Sequence, residues 1–265
     1  MRVTRTLIAE GRHMRILITN DDGVYSPGIA ALAQVASRFG EVRIVAPDVE
    51  MSSASASITA SRPLSYKRTP LPTPGLDAYR VNGTPGDCVM LGTTLWEKVD
   101  VVLSGINIGT NLGNATWHSG TLAGARQAAL LGLRGIALSA PATDREQPSF
   151  ELLKPWAASV LEMLFEVQDL PLVNVNFPAE APRGLLWTCQ SMRHYDGKVV
   201  PAKDPMGRQV YWYTVAPVES TEETSDRWAF DNGYVSITPL RLELTDHQAL
   251  ERVRKLEAWK KLKFA

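Results

Sequence analysis

Short β-branched and aliphatic runs alternate with longer Ala/Leu-rich stretches through the first two thirds of the chain. Arg15-Ile16-Leu17-Ile18-Thr19 is the first such run, and it stops at the turn Asn20-Asp21-Asp22-Gly23. Pro27 then opens a helical pattern that reaches about residue 39, and Val42-Arg43-Ile44-Val45-Ala46 repeats the strand pattern after Gly40. Strand, helix and strand in this order predict a βαβ unit with a right-handed crossover. A serine- and alanine-rich stretch over 52–61 and a proline-punctuated stretch over 63–74 form an insertion with room for one strand before the next at 78–81. The alternation then resumes, with a helix from Thr84, a buried-type strand over 100–104, and an Ala/Leu helix after Ser119-Gly120-Thr121. A strand over 135–139, a helix over 150–167 and a strand over 172–176 complete it.

Past Pro178 the pattern changes. Residues 186–240 read as strands and loops with aromatic alternation at Val210-Tyr211-Trp212-Tyr213, followed by a charged helix from Asp246. The expected fold is wound α/β, with a mostly parallel sheet over 14–180, then a β-rich arm and C-terminal helix over 181–265. Residues 1–13 precede the first strand pattern and are set aside as an N-terminal extension, disordered or non-native.

Composition narrows the function. Apolar residues make up 45% of the 265-residue chain, enough for a full core without disulfides. Basic and acidic residues balance at 28 each, so no overall field draws the molecule to a nucleic-acid polymer or an anionic membrane. Cys88 and Cys189 lie far apart, outside any metal-ligand spacing, which fits a reducing compartment. With no apolar run near the roughly 20 residues that span a bilayer and no signal-peptide pattern at the start, the expected location is cytoplasmic.

Four segments carry candidate chemistry. Asp21 and Asp22 sit where a parallel strand ends, the edge at which open α/β sheets bind ligands. Adjacent carboxylates repel, and a hard cation such as Mg²⁺ or Mn²⁺ is one reason to keep them together; an ordinary Asx turn before Gly23 is the other. The segment from Ser104 to Gly113 follows a buried strand and interleaves small residues with Asn107, which offers a neutral oxygen to a cation, and Asn111, which offers an amide donor to phosphate. It matches neither the dinucleotide Gly-x-Gly-x-x-Gly pattern nor a Walker loop. Ser119-Gly120-Thr121 precedes a helix, where free N–H groups favour an anion, although plain N-capping explains the same residues. Ser52 and Ser53 follow the second strand at the same carboxyl edge, where a hydroxyl can complete a metal shell. His118, beside the helix start, is an acid or base candidate or simply structural, and Trp117 and Tyr211 to Tyr213 suit either stacking on a base or packing between strands or subunits; Arg193, His194 and Arg208 are undecided.

Taken together these segments resemble the SurE family, the stationary-phase survival proteins that act as metal-dependent 5′/3′-nucleotidases. The resemblance runs from Met14 onward. It rests on Ile18-Thr19-Asn20-Asp21-Asp22-Gly23 with Pro27-Gly28, Val45-Ala46-Pro47-Asp48 with its serines, Gly83-Thr84-Pro85 with Asp87-Cys88, Ser104-Gly105-Ile106-Asn107 with Asn111-Leu112-Gly113, Ser119-Gly120-Thr121, and the run from Gly233 to Leu240. It implies one divalent metal ion per subunit, Mg²⁺ or Mn²⁺, on Asp21, Asp22, Ser52 and Asn107, with Asp21 and Asp22 also catalytic. It implies a Rossmann-like three-layer core over 14–180, phosphate contacts from Asn111, Ser119, Gly120 and Thr121, nucleoside monophosphates and related esters as substrates, and a homodimer or homotetramer that exchanges the arm over 181–265. Serine at 53, where many members have glycine, makes the choice of Ser52 rest on counting from Pro47-Asp48. Two rival readings keep parts of the pattern: a nucleotide- or metal-sensing module without turnover, and a Rossmann oxidoreductase, which the absent glycine fingerprint disfavours.

Overall fold

A computed structural model of the chain describes residues 14–71, 75–142, 148–192, 195–217 and 222–256. The expected extension over 1–13, together with Arg193 and His194, lies outside the described residues. In chain order the elements are β1 (Met14–Thr19), α1 (Pro27–Ala36), β2 (Gly40–Pro47), β3 (Tyr66–Arg68), β4 (Asp77–Val81), α2 (Pro85–Leu95), β5 (Val101–Ile108), a 3₁₀ turn (Gly113–Trp117), α3 (Gly120–Leu130), β6 (Arg134–Ala140), α4 (Phe150–Glu166) and β7 (Leu172–Asn176). There follow β8 (Leu185–Trp187), β9 (Tyr195–Lys203), β10 (Gln209–Pro217), α5 (Asp226–Asp231), β11 (Val235–Leu240) and α6 (His247–Lys255).

The main sheet has the order β3-β4-β2-β1-β5-β6-β7-β11-β8, parallel from β4 to β7 and antiparallel at β3–β4 and β7–β11. The chain fills the sheet in one direction from β1 through β2 to β4, then crosses back to place β5 on the other side of β1. That reversal puts a switch point between β1 and β5, and it leaves a crevice beyond their carboxyl ends. Thr19 pairs with Ser104 at the last shared rung, so the acidic turn after β1 and the loop after β5 emerge side by side.

Strand alternation divides the core in two. Ile16, Ile18, Ile44 and Leu103 pack with α1 and α4 on one face, whereas Leu17, Val45, Val81 and Val102 pack with Cys88, Val89 and Trp96 of the α2 region on the other. Helix starts follow their sequence signals. Ser26 caps α1 with Pro27 at its first position, and Thr84 and Asp87 make a reciprocal capping box at α2. Gly28 is required by close approach, since a Cβ there would lie 2.0 Å from the carbonyl oxygen of Ile106. α1 can therefore lie directly against β5.

Three features depart from the sequence pattern. β5 continues to Ile108, through residues that read as loop; its pairing with β6 shifts between Ser104 and Asn107, and Ile106 is fully buried there. Among the described residues of 181–240 only β9 and β10 form a separate hairpin, because β8 and β11 return to extend the main sheet, and the short helix α5 intervenes. Six residues are too few to impose a helical hydrophobic period, which is why α5 left no readable pattern. α6 starts where the sequence suggests, with Asp246 accepting from the Ala249 N–H at 2.8 Å, and it buries none of its residues. Among the described residues no helix is long and apolar enough to cross a membrane.

Candidate active site at the sheet switch point

The acidic turn is built by its own backbone and by the loop after β2. Asn20 donates through Nδ2 to the Gly23 carbonyl at 3.1 Å and is fully buried, which closes the turn. The Val24 N–H bonds Pro47 O at 2.9 Å and the Met51 N–H bonds Asp21 O at 2.7 Å. These two bonds fasten the segment carrying Asp48, Glu50 and Ser52 beside Asp21 and Asp22.

The two acids face different neighbours. Asp21 is buried, and its Oδ1 accepts the Thr121 hydroxyl at 2.6 Å. Burial pushes its carboxyl above the usual range, while hydrogen bonds from Thr121 and from the backbone of Gly120 and Thr121 oppose the rise. Gly120 permits this contact, since a Cβ on it would stand 2.7 Å from the Asp21 Cβ. Asp22 is half-buried and opens into a cavity of about 460 Å³, which Tyr25, Asp48, Glu50, Ser52 and Ile108 also line. Burial first, then the charge of Asp21, push its carboxyl up to about 7; the Ile108 N–H, 3.4 Å from Oδ2, opposes this. The cavity lining includes three carboxylates and no basic side chain. Such an arrangement favours a bound cation over empty space.

A hard divalent ion fits the donors available. Among the described residues no three His, Cys, Asp or Glu side chains converge into a metal-binding group. An ion here would draw on two carboxylates and complete its shell with neutral oxygens and water, the usual habit of Mg²⁺. Asn107 donates through Nδ2 to Gly109 O at 2.8 Å, which turns that end of the amide away and leaves Oδ1 as an acceptor. Ser52 is exposed and donates to Glu50 Oε1 at 2.6 Å, so its oxygen lone pairs remain available. Ser53 has a left-handed backbone, φ 61°, and does not line the cavity.

The expected phosphate groups stand on the neighbouring loop and helix. Ser119 caps α3 by accepting the Leu122 N–H at 3.0 Å, which leaves its own O–H free to donate elsewhere. The hydroxyl of Thr121 is already committed to Asp21, so at this residue the backbone N–H is the group suited to an anion. Asn111 is buried and held on three sides: its Nδ2 donates to Ser139 Oγ at 2.8 Å, its N–H to Asn176 Oδ1 at 2.7 Å, and its carbonyl accepts Asn174 Nδ2 at 2.7 Å. His118 is exposed. Its carbonyl accepts the Ser55 N–H at 3.1 Å, tying the serine-rich insertion to this loop.

Sequence reasoning passed over Glu50, Asn174 and Asn176. A signal for the asparagines was present in Leu172-Val173-Asn174-Val175-Asn176, where amides alternate with valines in a strand that is buried throughout. Buried amides need partners, and here the partner is Asn111. Glu50 was legible only as one more acid in a loop, since what singles it out is the Ser52 hydroxyl and the shared cavity.

A family model described as "Survival protein SurE" matches residues 16–197. The 5′-nucleotidase SurE 1 of Thermus thermophilus is 46% identical over 242 residues, covering 90% of this chain and 96% of that protein. The 5′-nucleotidase SurE of Deinococcus radiodurans is 43% identical, covering 87% and 88%. Among solved structures, the SurE protein of Aquifex aeolicus superposes with a TM-score of 0.78 at 35% identity, covering 92% of this chain and 99% of that one. A strand order that brings the acidic turn and Asn107 to one crevice, and relatives alike over nearly their whole length, lead to one conclusion: the chain belongs to the SurE survival-protein family.

Proposed function

We propose that this chain is a divalent-cation-dependent 5′-nucleotidase that releases inorganic phosphate from nucleoside monophosphates, with 3′-nucleotides and related esters as further substrates. Its relatives carry the name 5′-nucleotidase, and that name supports a phosphoric monoester hydrolase here. The observation that carries the finer reading is the pair Asp21 and Asp22 at the switch point, beside a cavity lined by three carboxylates without a basic partner. One Mg²⁺ or Mn²⁺ ion held by Asp21, Asp22, Ser52 and Asn107 would supply Lewis-acid polarisation of the phosphoryl group. The chain's own residues do the rest. Ser119 and the first N–H groups of α3 donate to phosphate oxygens, where the helix start favours negative charge. Asn111, fixed by Ser139, Asn174 and Asn176, presents its remaining amide hydrogen without having to be reordered. Asp21 and Asp22 are the carboxylates placed to orient a water and take its proton.

The hairpin of β9 and β10 supports a homodimer or homotetramer built through residues 181–265, because Tyr211, Trp212 and Tyr213 are all about two-thirds exposed on it. Light scattering on the purified chain would count the subunits, and a monomer would remove this part of the reading.

The main test is phosphate release from a panel of nucleoside monophosphates and p-nitrophenyl phosphate, with Mg²⁺, Mn²⁺ or a chelator. Turnover that needs the cation is expected, and Asp22→Asn should cost about a hundredfold or more in kcat while the variant still melts cooperatively. Absence of phosphate release from every substrate with every cation would sink the proposal.

A further inference from the structure

Two residues beyond Asn111, Gly113 is gripped from the far end of the chain. Its N–H donates to Oδ2 of Asp226 at 2.9 Å, and its carbonyl accepts Nε2 of Gln190 at 2.7 Å. Gln190 also reaches the Thr116 hydroxyl at 2.7 Å, in the same 3₁₀ turn. Asp226 opens α5 and is fully buried, with Oδ1 accepting the N–H groups of Ser191 at 3.0 Å and Arg227 at 2.7 Å. One carboxylate therefore joins three backbone positions: the Gly113 loop, the segment at Ser191, and the start of α5. Burying a carboxylate is costly unless its oxygens are hydrogen-bonded, and these are bonded entirely by backbone N–H groups.

We infer that Asp226, assisted by Gln190, is a positioning residue for phosphate binding, acting through Gly113 on the loop that carries Asn111 and leads to Ser119. The inference rests on the reading of Asn111 and Ser119 as phosphate donors. The loop over 109–119 is rich in glycine and asparagine, residues with much backbone freedom to lose. Asn174 and Asn176 of β7 hold it at Asn111, and Asp226 and Gln190 hold it at Gly113. With both anchors in place the loop that carries Asn111 and leads to Ser119 is ordered before any ligand arrives, so less ordering is left to oppose binding. Asp226 lies outside residues 16–197, the span that the family model matches.

Asp226→Asn keeps the size of the side chain but only one accepting oxygen, so it cannot serve both Gly113 and the Ser191–Arg227 pair. Gln190→Leu removes the donor to the Gly113 carbonyl. Two affinities are read on the full chain: inorganic phosphate, by competitive inhibition and by thermal shift, and Mn²⁺ alone, by thermal shift. Asp226→Asn should weaken inorganic phosphate roughly tenfold, and Gln190→Leu about threefold, the losses expected for a charge-assisted and a neutral hydrogen bond. Mn²⁺ affinity should stay within about twofold, because its candidate ligands sit on other segments; a variant merely loosened overall would lose both together. Unchanged phosphate affinity in both variants, or equal loss of phosphate and Mn²⁺, would overturn the inference. If Asp226→Asn does not melt cooperatively, Gln190→Leu decides alone. A parent chain that binds inorganic phosphate without turning over any ester overturns the nucleotidase reading and leaves this one standing; a parent that binds no phosphate overturns both.

Discussion

The hydroxyl of Thr121 donates to Oδ1 of Asp21 across 2.6 Å, linking the start of α3 to the acidic turn across 100 residues of sequence. That bond fixes the side chain of one candidate metal ligand from the helix proposed to hold phosphate, so the two proposed sites would share a wall.

Thr121→Val keeps the shape of the side chain and deletes this bond. The buried Asp21 loses the donor that most opposes the rise in its pKa, and stability should fall by about 1–2 kcal/mol. Denaturant melts of the metal-free protein measure this, and Mn²⁺ affinity should drop, more so toward acid pH, because the carboxyl without its donor holds its proton more tightly.

Gly120→Ala tests the close approach. A Cβ there would stand 2.8 Å from Oδ2 of Asp21, inside any ordinary contact, so the carboxylate must move. Activity should fall at least about tenfold, the scale of a misplaced catalytic geometry. Helix propensity alone would predict a stabilised and fully active variant, and kcat measured beside the melting temperature separates the two outcomes.

In the metal-free protein the pKa of Asp22 is raised from 3.8 to about 7. The folded state therefore holds this proton more tightly than the unfolded chain does. The stabilisation is complete below pH about 4 and is lost as pH climbs through about 7. Asp22→Asn should remove this part of the decline in melting temperature between those limits. Saturating Mn²⁺ should raise the melting temperature most at the alkaline end, where the carboxylates are charged. Equal Mn²⁺ stabilisation at pH 5 and pH 8 would contradict this account of Asp22.

The two adjacent serines should behave oppositely. Ser52→Ala removes an oxygen that faces the cavity and should weaken Mn²⁺ about tenfold, within the range seen when a supporting contact of a metal site is lost. Ser53→Gly relieves a left-handed residue, φ 61°, and should raise stability by up to about 1 kcal/mol with Mn²⁺ affinity unchanged. A reversed pattern would move the ligand assignment to Ser53.

Much of the core was legible in advance because its signals are local. β1, β2, β6 and β7 announce themselves by aliphatic runs, and α1 to α3 by Pro27, Thr84 and Ser119 at their starts. The acidic turn and the serines of the β2 loop were readable for the same reason, each being a short stretch with its own chemistry. The pattern makes β5 too short because Gly105 and Asn107 look like loop residues, and the strand resumes only where Asn107 and Ile108 pair with Ser139 and Ala140 of β6. β8 and β11 read as part of an arm because three- and six-residue strands do not say which sheet they join.

By itself, then, the sequence determined the α/β alternation, the helix starts and the residue types able to hold a cation and a phosphate. It could do so because hydrophobic period, capping and turn chemistry act over a few residues. Only the tertiary structure decided the strand order that sets β1 beside β5, the Thr121–Asp21 bond, the asparagines around Asn111, and the hold of Asp226 and Gln190 on Gly113. These join positions from 63 to 113 residues apart, and no local preference encodes which buried donor will meet which buried acceptor until the packed chain brings them together.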